Sequence, residues 1–147
     1  MFHHTPSCHK DPYPGSVTRP GDLLVLARHY HGAAEVLLAA QQGSGAVAQL
    51  PGRFCALHAL ELYLNAFRSL KGEANESIRA SHHDLSDPAL SDALNLRDKT
   101  RAHLTALSKE REYLKARYAP DMVCDLSHPS RVVATLNEMR KKVEAHF

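Results

Sequence analysis

Residues 58–72, HALELYLNAFRSLKG, decide the fold. The stretch holds no proline and no β-branched residue, and Lys71-Gly72 ends it as helices commonly end. Extended back to about Arg53, it places Phe54, Leu57, Leu60, Leu64 and Phe67 on one stripe at helical spacing. A second set, His58, Glu61, Asn65 and Arg68, repeats at the same period and threads polar groups along the helix. Two readings of that thread stand side by side. It is a solvated face in which His58 and Glu61, three apart, pair with each other, or it lies against a second protomer with Glu61 as an interface hydrogen-bonder.

Working outward, every other segment reads the same way. Asp22 is placed to cap a first helix in which Leu23, Leu26, Ala27, Tyr30, Ala33, Ala34, Leu37 and Leu38 recur, and GSG at 43–45 closes it. AVAQLP at 46–51 reads as a link. After Leu70, ANESIRASHHDLSDP reads as loop with one short helical turn. A third helix begins after Ser86 with Asp87 and Pro88 in its first turn, ending near Arg97 or running on. TRAHLTALSKEREYLKARYAP forms a long fourth segment stopped by Pro120. Ser127-His128-Pro129 introduces a last helix with Val132, Val133, Leu136, Met139 and Val143 on one face. No β-alternation competes. The expected fold is all-α, a four- to five-helix up-and-down antiparallel bundle over residues 21–147, after a proline-rich arm at 1–20 that should be extended or mobile.

Composition narrows the function classes. The chain has 147 residues, 44% hydrophobic and 23% charged, with a formal net charge of +2. That size buries a sizeable core, and that charge alone does not imply nucleic-acid or membrane binding. Cys8, Cys55 and Cys124 are an odd set without CxxC spacing, as expected of reduced thiols, with Cys55 in the core. No signal peptide is expected from the pattern of residues 1–21, and no apolar run reaches about 20 residues. The expectation is a soluble cytoplasmic protein with no membrane partner and no cofactor.

The order of motifs is informative. The second helix with HALELYLNAFRSLKG, the HDL at His83-Asp84-Leu85 and the late ARYAP at 116–120 together resemble HEPN domains, over roughly residues 20–146. These are small helical bundles that include dimers, metal-independent ribonucleases and members without known catalysis. Their second helix commonly reads E-x-x-L-K; here Glu61 and Leu64 match, and Asn65 stands at the lysine position. Active members carry an arginine with a histidine a few residues on. Arg97 and His103 meet that spacing, and Arg53 and His58 meet a shorter version. The chemistry needs both types: an imidazole moves a proton of the ribose 2′-hydroxyl and a guanidinium neutralises the phosphate. The resemblance also implies a homodimer.

Other clusters carry weaker signals. His82-His83-Asp84 has metal-ligating types, but no distant carboxylate or HExxH completes a set, so a capping or packing role and no metal is expected. His3, His4, Cys8 and His9 of the arm lack preorganised geometry. Residues 97–118 hold seven basic positions against three acidic ones, and Arg140, Lys141 and Lys142 add a second basic cluster. Such runs are usually solvated helix faces, yet they can hold phosphate while Tyr113 or Tyr118 stacks on a base. GSG at 43–45 follows no strand and is no phosphate loop. The leading expectation is a non-catalytic bundle that binds a nucleotide, RNA or a protein partner, with Arg97, Arg101, Arg117 and Tyr118 as ligand contacts. The alternative is a metal-independent ribonuclease, the toxin of a toxin–antitoxin pair, using Arg97 and His103.

Overall fold

The computed structural model describes residues 13–147 and is all-α; among the described residues there is no strand. Seven helices follow in order: α1 Pro20–Ala40, α2 Ala46–Leu70, α3 Asn75–Arg79, α4 Pro88–Ala93, α5 Asp98–Lys109, α6 Glu112–Tyr118 and α7 Pro129–Glu144. No described helix is long and apolar enough to cross a membrane. The arm's histidines and Cys8 lie outside the described residues. Its last part is tied down: Asn75 Nδ2 donates to the Ser16 carbonyl at 2.7 Å, and Arg79 lies 4.1 Å over the Tyr13 ring.

The N-cap of helix α1 lies three residues before the expected one, Asp22. Arg19 is extended at the N-cap, Pro20 takes the first helical position, and Asp22 sits at N3, accepting from the Arg19 backbone N–H at 3.3 Å. Its buried stripe is also rotated from the expected one. Leu24, Ala27, His31, Ala34 and Leu38 face inward at alternating spacings of three and four, whereas Leu26 and Ala33 are exposed. A histidine in the centre of that seam hid it from a reading of apolar residues alone.

Gly45, at φ +94°, turns the chain so that α2 begins at Ala46 rather than at about Arg53. AVAQLP is therefore helix, not link. Pro51 forfeits only the single bond that its N–H would have made to the Val47 carbonyl, while Leu50 beside it is buried. At the next residue, Gly52, α1 and α2 touch. A Cβ there would meet the Leu38 side chain at 3.0 Å and its backbone nitrogen at 3.1 Å. Gly52→Val is accordingly expected to cost about 1–3 kcal/mol in denaturant titration, despite glycine's poor helix propensity, because α1 must move outward. A stability equal to wild type would show that the two backbones yield freely.

Helix α2 is the central element. Leu57, Leu60, Tyr63, Leu64 and Phe67 are buried along it, and its neighbours pack around it. Leu38 against Gly52 and His31 against Tyr63 set α1 antiparallel to α2. Arg53 beside Ser127 and Phe67 beside His146 set α7 parallel to it. Glu138 on Thr100 and Thr135 on His103 set α5 antiparallel to α7.

Between α2 and α7 the chain breaks more often than expected, so a four- to five-helix count gives way to four helices of twelve residues or more and three short ones. Asp87 caps α4 through Ala89 N–H at 2.9 Å, as its position before Pro88 suggests. Leu94 and Leu96 then bury on either side of Asn95, which adopts φ +49°, and α5 starts separately. The long fourth segment divides too. Arg111 takes a left-handed backbone, φ +54°, and α6 sets off in a new direction. That bend carries Glu112 to Arg53 in the core and Tyr113 to His83 at the surface.

Candidate functional site

The polar thread of α2 is not a solvated face. Its N-terminal half forms the floor of a groove of about 210 Å3 walled by α6 and the 83–85 segment. Glu61 does not pair with His58, one turn away. It reaches the loop instead, with both carboxylate oxygens on His83 Nδ1, at 2.9 and 2.8 Å. Farther along, Arg68 is buried between Glu73 and Asp87, at 3.7 and 3.5 Å, and ties α2 to the N-terminus of α4.

The groove has flat apolar walls and a polar floor. Phe54 and His58 stack with planes 6° apart and centroids 6.1 Å apart, and Tyr30 closes on His58 edge-on at 4.5 Å. Tyr113 leans on His83 at 4.9 Å. The Arg117 guanidinium lies 5.6 Å from the Phe54 ring centre and 5.0 Å from that of Tyr118. Burial holds the His58 imidazole below its ordinary range; Glu61 opposes the shift, and the charges of His83 and Arg117 add to it. His58 is therefore neutral at neutral pH. Its half-buried ring and the Arg117 cation together offer an uncharged flat partner next to a positive one.

Backbone strain marks the same place. His82 and His83 adopt φ +49° and +66° in succession, a conformation costly for side chains with a Cβ. Asp84 steadies the segment: its carboxylate accepts from Ser86 N–H at 2.8 Å and from the Ser86 hydroxyl at 2.6 Å. Those two bonds hold that carboxyl below its usual range. Leu85 N–H donates to Ser108 Oγ at 3.0 Å, fixing the loop to α5. His83 thus packs between α2 and α6 rather than capping a helix; among the described residues there is no group of three or more His, Cys, Asp or Glu that could hold a metal ion.

The other expected residues disperse. Arg97 caps the start of α5, its backbone N–H and Nε both donating to Glu138 Oε1, at 3.0 and 3.1 Å. Burial raises the Glu138 carboxyl, but the bonds from Thr100 and Arg97 outweigh it and hold the group below its usual range. His103 is buried between α5 and α7 with Nδ1 on Thr135 Oγ1 at 2.7 Å, and among the described residues Nε2 has no partner. Burial, with Arg131 and Arg53 nearby, pushes it down to about 4. An Arg97–His103 pair acting on RNA needs this ring released from the core. Arg101 is held by Asp92 and the Leu96 carbonyl, and Tyr118 is exposed beside Arg117. Arg53 is buried on Glu112 and Ser127, away from the groove that holds His58. Of the four expected ligand contacts, then, only Arg117 lines the groove, with Tyr118 adjoining it; Tyr113, the other ring expected to stack on a base, lines it as well.

The sequence reading named the basic clusters separately and passed over a third arginine-to-histidine spacing. A second, shallower furrow along α7 collects Arg97, Lys141 and Lys142, and a neighbouring hollow adds Lys99 and Arg131. Arg140 and His146 repeat the arginine-to-histidine spacing at the end of α7, where Arg140 pairs with Glu144 at 2.9 Å and His146 edges onto Phe67 at 5.0 Å. Comparison with protein-family models, with curated proteins and with solved structures found no match.

Proposed function

We propose that the chain is a non-catalytic HEPN-like bundle that binds a nucleotide or RNA in the groove between α2, α6 and the 83–85 segment. The observation that carries this reading is the convergence of Arg117, His58 and His83 on flat walls made by Phe54 and Tyr113. A guanidinium takes a phosphate, and aromatic faces take a base whatever its identity. At about 210 Å3 the groove is smaller than the roughly 300–1,000 Å3 of drug-sized ligand sites, so it suits one base at a time. The basic furrow of α7 supports the same reading for a longer strand, and the resemblance to HEPN domains adds a homodimer to it.

Titration with nucleoside monophosphates and short single-stranded RNA tests the proposal. Arg117→Ala is expected to weaken nucleotide binding roughly tenfold or more. RNA affinity should fall steeply with added salt. No binding by folded wild type leaves a protein-interaction bundle instead. Cleavage of RNA in EDTA that His103→Ala abolishes replaces the proposal with a ribonuclease.

A further inference from the structure

The placement of one proton gives the groove a preference among bases. Both oxygens of Glu61 meet Nδ1 of His83, and an ionised carboxylate only accepts hydrogen bonds. Nδ1 therefore carries the hydrogen. In the neutral ring Nε2 then has none and is an acceptor. Among the described residues no protein group pairs with Nε2, and the half-exposed side chain lines the groove. The ring is braced on two sides: Glu61 holds Nδ1, and Tyr113 lies 4.9 Å away.

We infer that Glu61 locks His83 as a hydrogen-bond acceptor, and that the groove selects a nucleotide whose single-ring base presents a ring N–H, as uracil does, over one that presents a lone pair there, as cytosine does. The inference rests on the nucleotide-binding reading above. Arg117 holds the phosphate while Phe54 and Tyr113 flank the base, which brings one base edge to Nε2. A uracil ring N–H donates to that nitrogen. The corresponding cytosine nitrogen faces it lone pair to lone pair, so cytosine must slide away and lose contact elsewhere. Glu61 is a positioning residue in this scheme, acting only through His83.

The test is calorimetric titration of UMP and CMP at about pH 8. Wild type is expected to favour UMP roughly tenfold or more. In Glu61→Gln the side-chain amide can donate to Nδ1 and release the tautomer, so the preference should vanish or reverse. Nitrogen-15 spectra of the histidines should show the hydrogen on Nδ1 of His83 in wild type and its redistribution in the variant. Equal affinity of wild type for both nucleotides, or a variant that weakens both without changing their ratio, overturns the inference and leaves nucleotide binding standing. Binding of neither nucleotide by wild type overturns both readings.

Discussion

Glu112→Ala is expected to lower the unfolding free energy by about 3–5 kcal/mol, the usual result of stranding one half of a buried ion pair. For a chain of this size that is a fall of about 10 °C or more in Tm. Arg53 and Glu112 are 3% and 4% exposed, with Nη1 and Oε2 3.5 Å apart. Glu112 Oε1 also accepts from Ser127 N–H at 2.8 Å, and the Arg53 guanidinium donates to the Ser127 carbonyl. One ion pair therefore pins α6 and the entry to α7 onto α2. Desolvation pulls the Arg53 guanidinium down and Glu112 opposes it, so removing the carboxylate leaves a buried cation with no counter-charge. Arg53→Met combined with Glu112→Leu should recover part of the loss. The recovery is incomplete because the Ser127 backbone groups then lack partners, at about 1 kcal/mol or more each. Denaturant titration at neutral pH measures both variants; a double replacement no better than the single one would refute the stranded-charge account.

The second large effect is acid lability centred on His103. Its folded state prefers the neutral ring, with the imidazole pushed from an ordinary 6.5 to about 4 by burial and by Arg131 and Arg53. The unfolded chain thus binds the proton more readily. The resulting stabilisation is complete above about pH 6.5 and is lost as pH falls towards 4, amounting to about 3 kcal/mol. His103→Leu should remove that slope. Its cost at neutral pH is expected to be about 1–3 kcal/mol, because the buried Thr135 hydroxyl loses His103 Nδ1. Below about pH 4 both proteins weaken together as Asp84, Glu138 and Glu144, all held below their usual ranges, become protonated. Stability curves for the two proteins that run parallel between pH 7 and 4 would exclude His103 as the source.

The sequence made helices legible wherever apolar period and end signals agreed. The stripe of α2, the Asp87-Pro88 start of α4 and the His128-Pro129 start of α7 are such places. It misled wherever a polar residue did a core residue's work. Period analysis treats His31, Arg53 and Arg68 as surface, yet each is buried because its partners, Tyr63, Glu112 and Asp87, come from distant segments. The break at Arg111 had no signal at all: KERE favours helix, and only the fit of Glu112 into the core selects the bend. The groove was half visible. His58 and Glu61 stand three residues apart in the sequence, but the bond that matters joins Glu61 to His83, 22 residues on, through a strained loop that no helical period encodes.

The order of assembly follows from how α1, α2 and α7 are joined. Only residues 41–45 separate α1 from α2, so their seam closes at small entropic cost and can form before the rest of the chain is in place. Helix α7 arrives much later in the chain and supplies Asn137 to His31, Thr135 to His103 and Glu138 to Arg97. It works as a keystone. A nascent chain halted before α7 is a hairpin with a wet seam, open to proteases and to association with other unfinished chains, rather than a smaller version of the finished bundle.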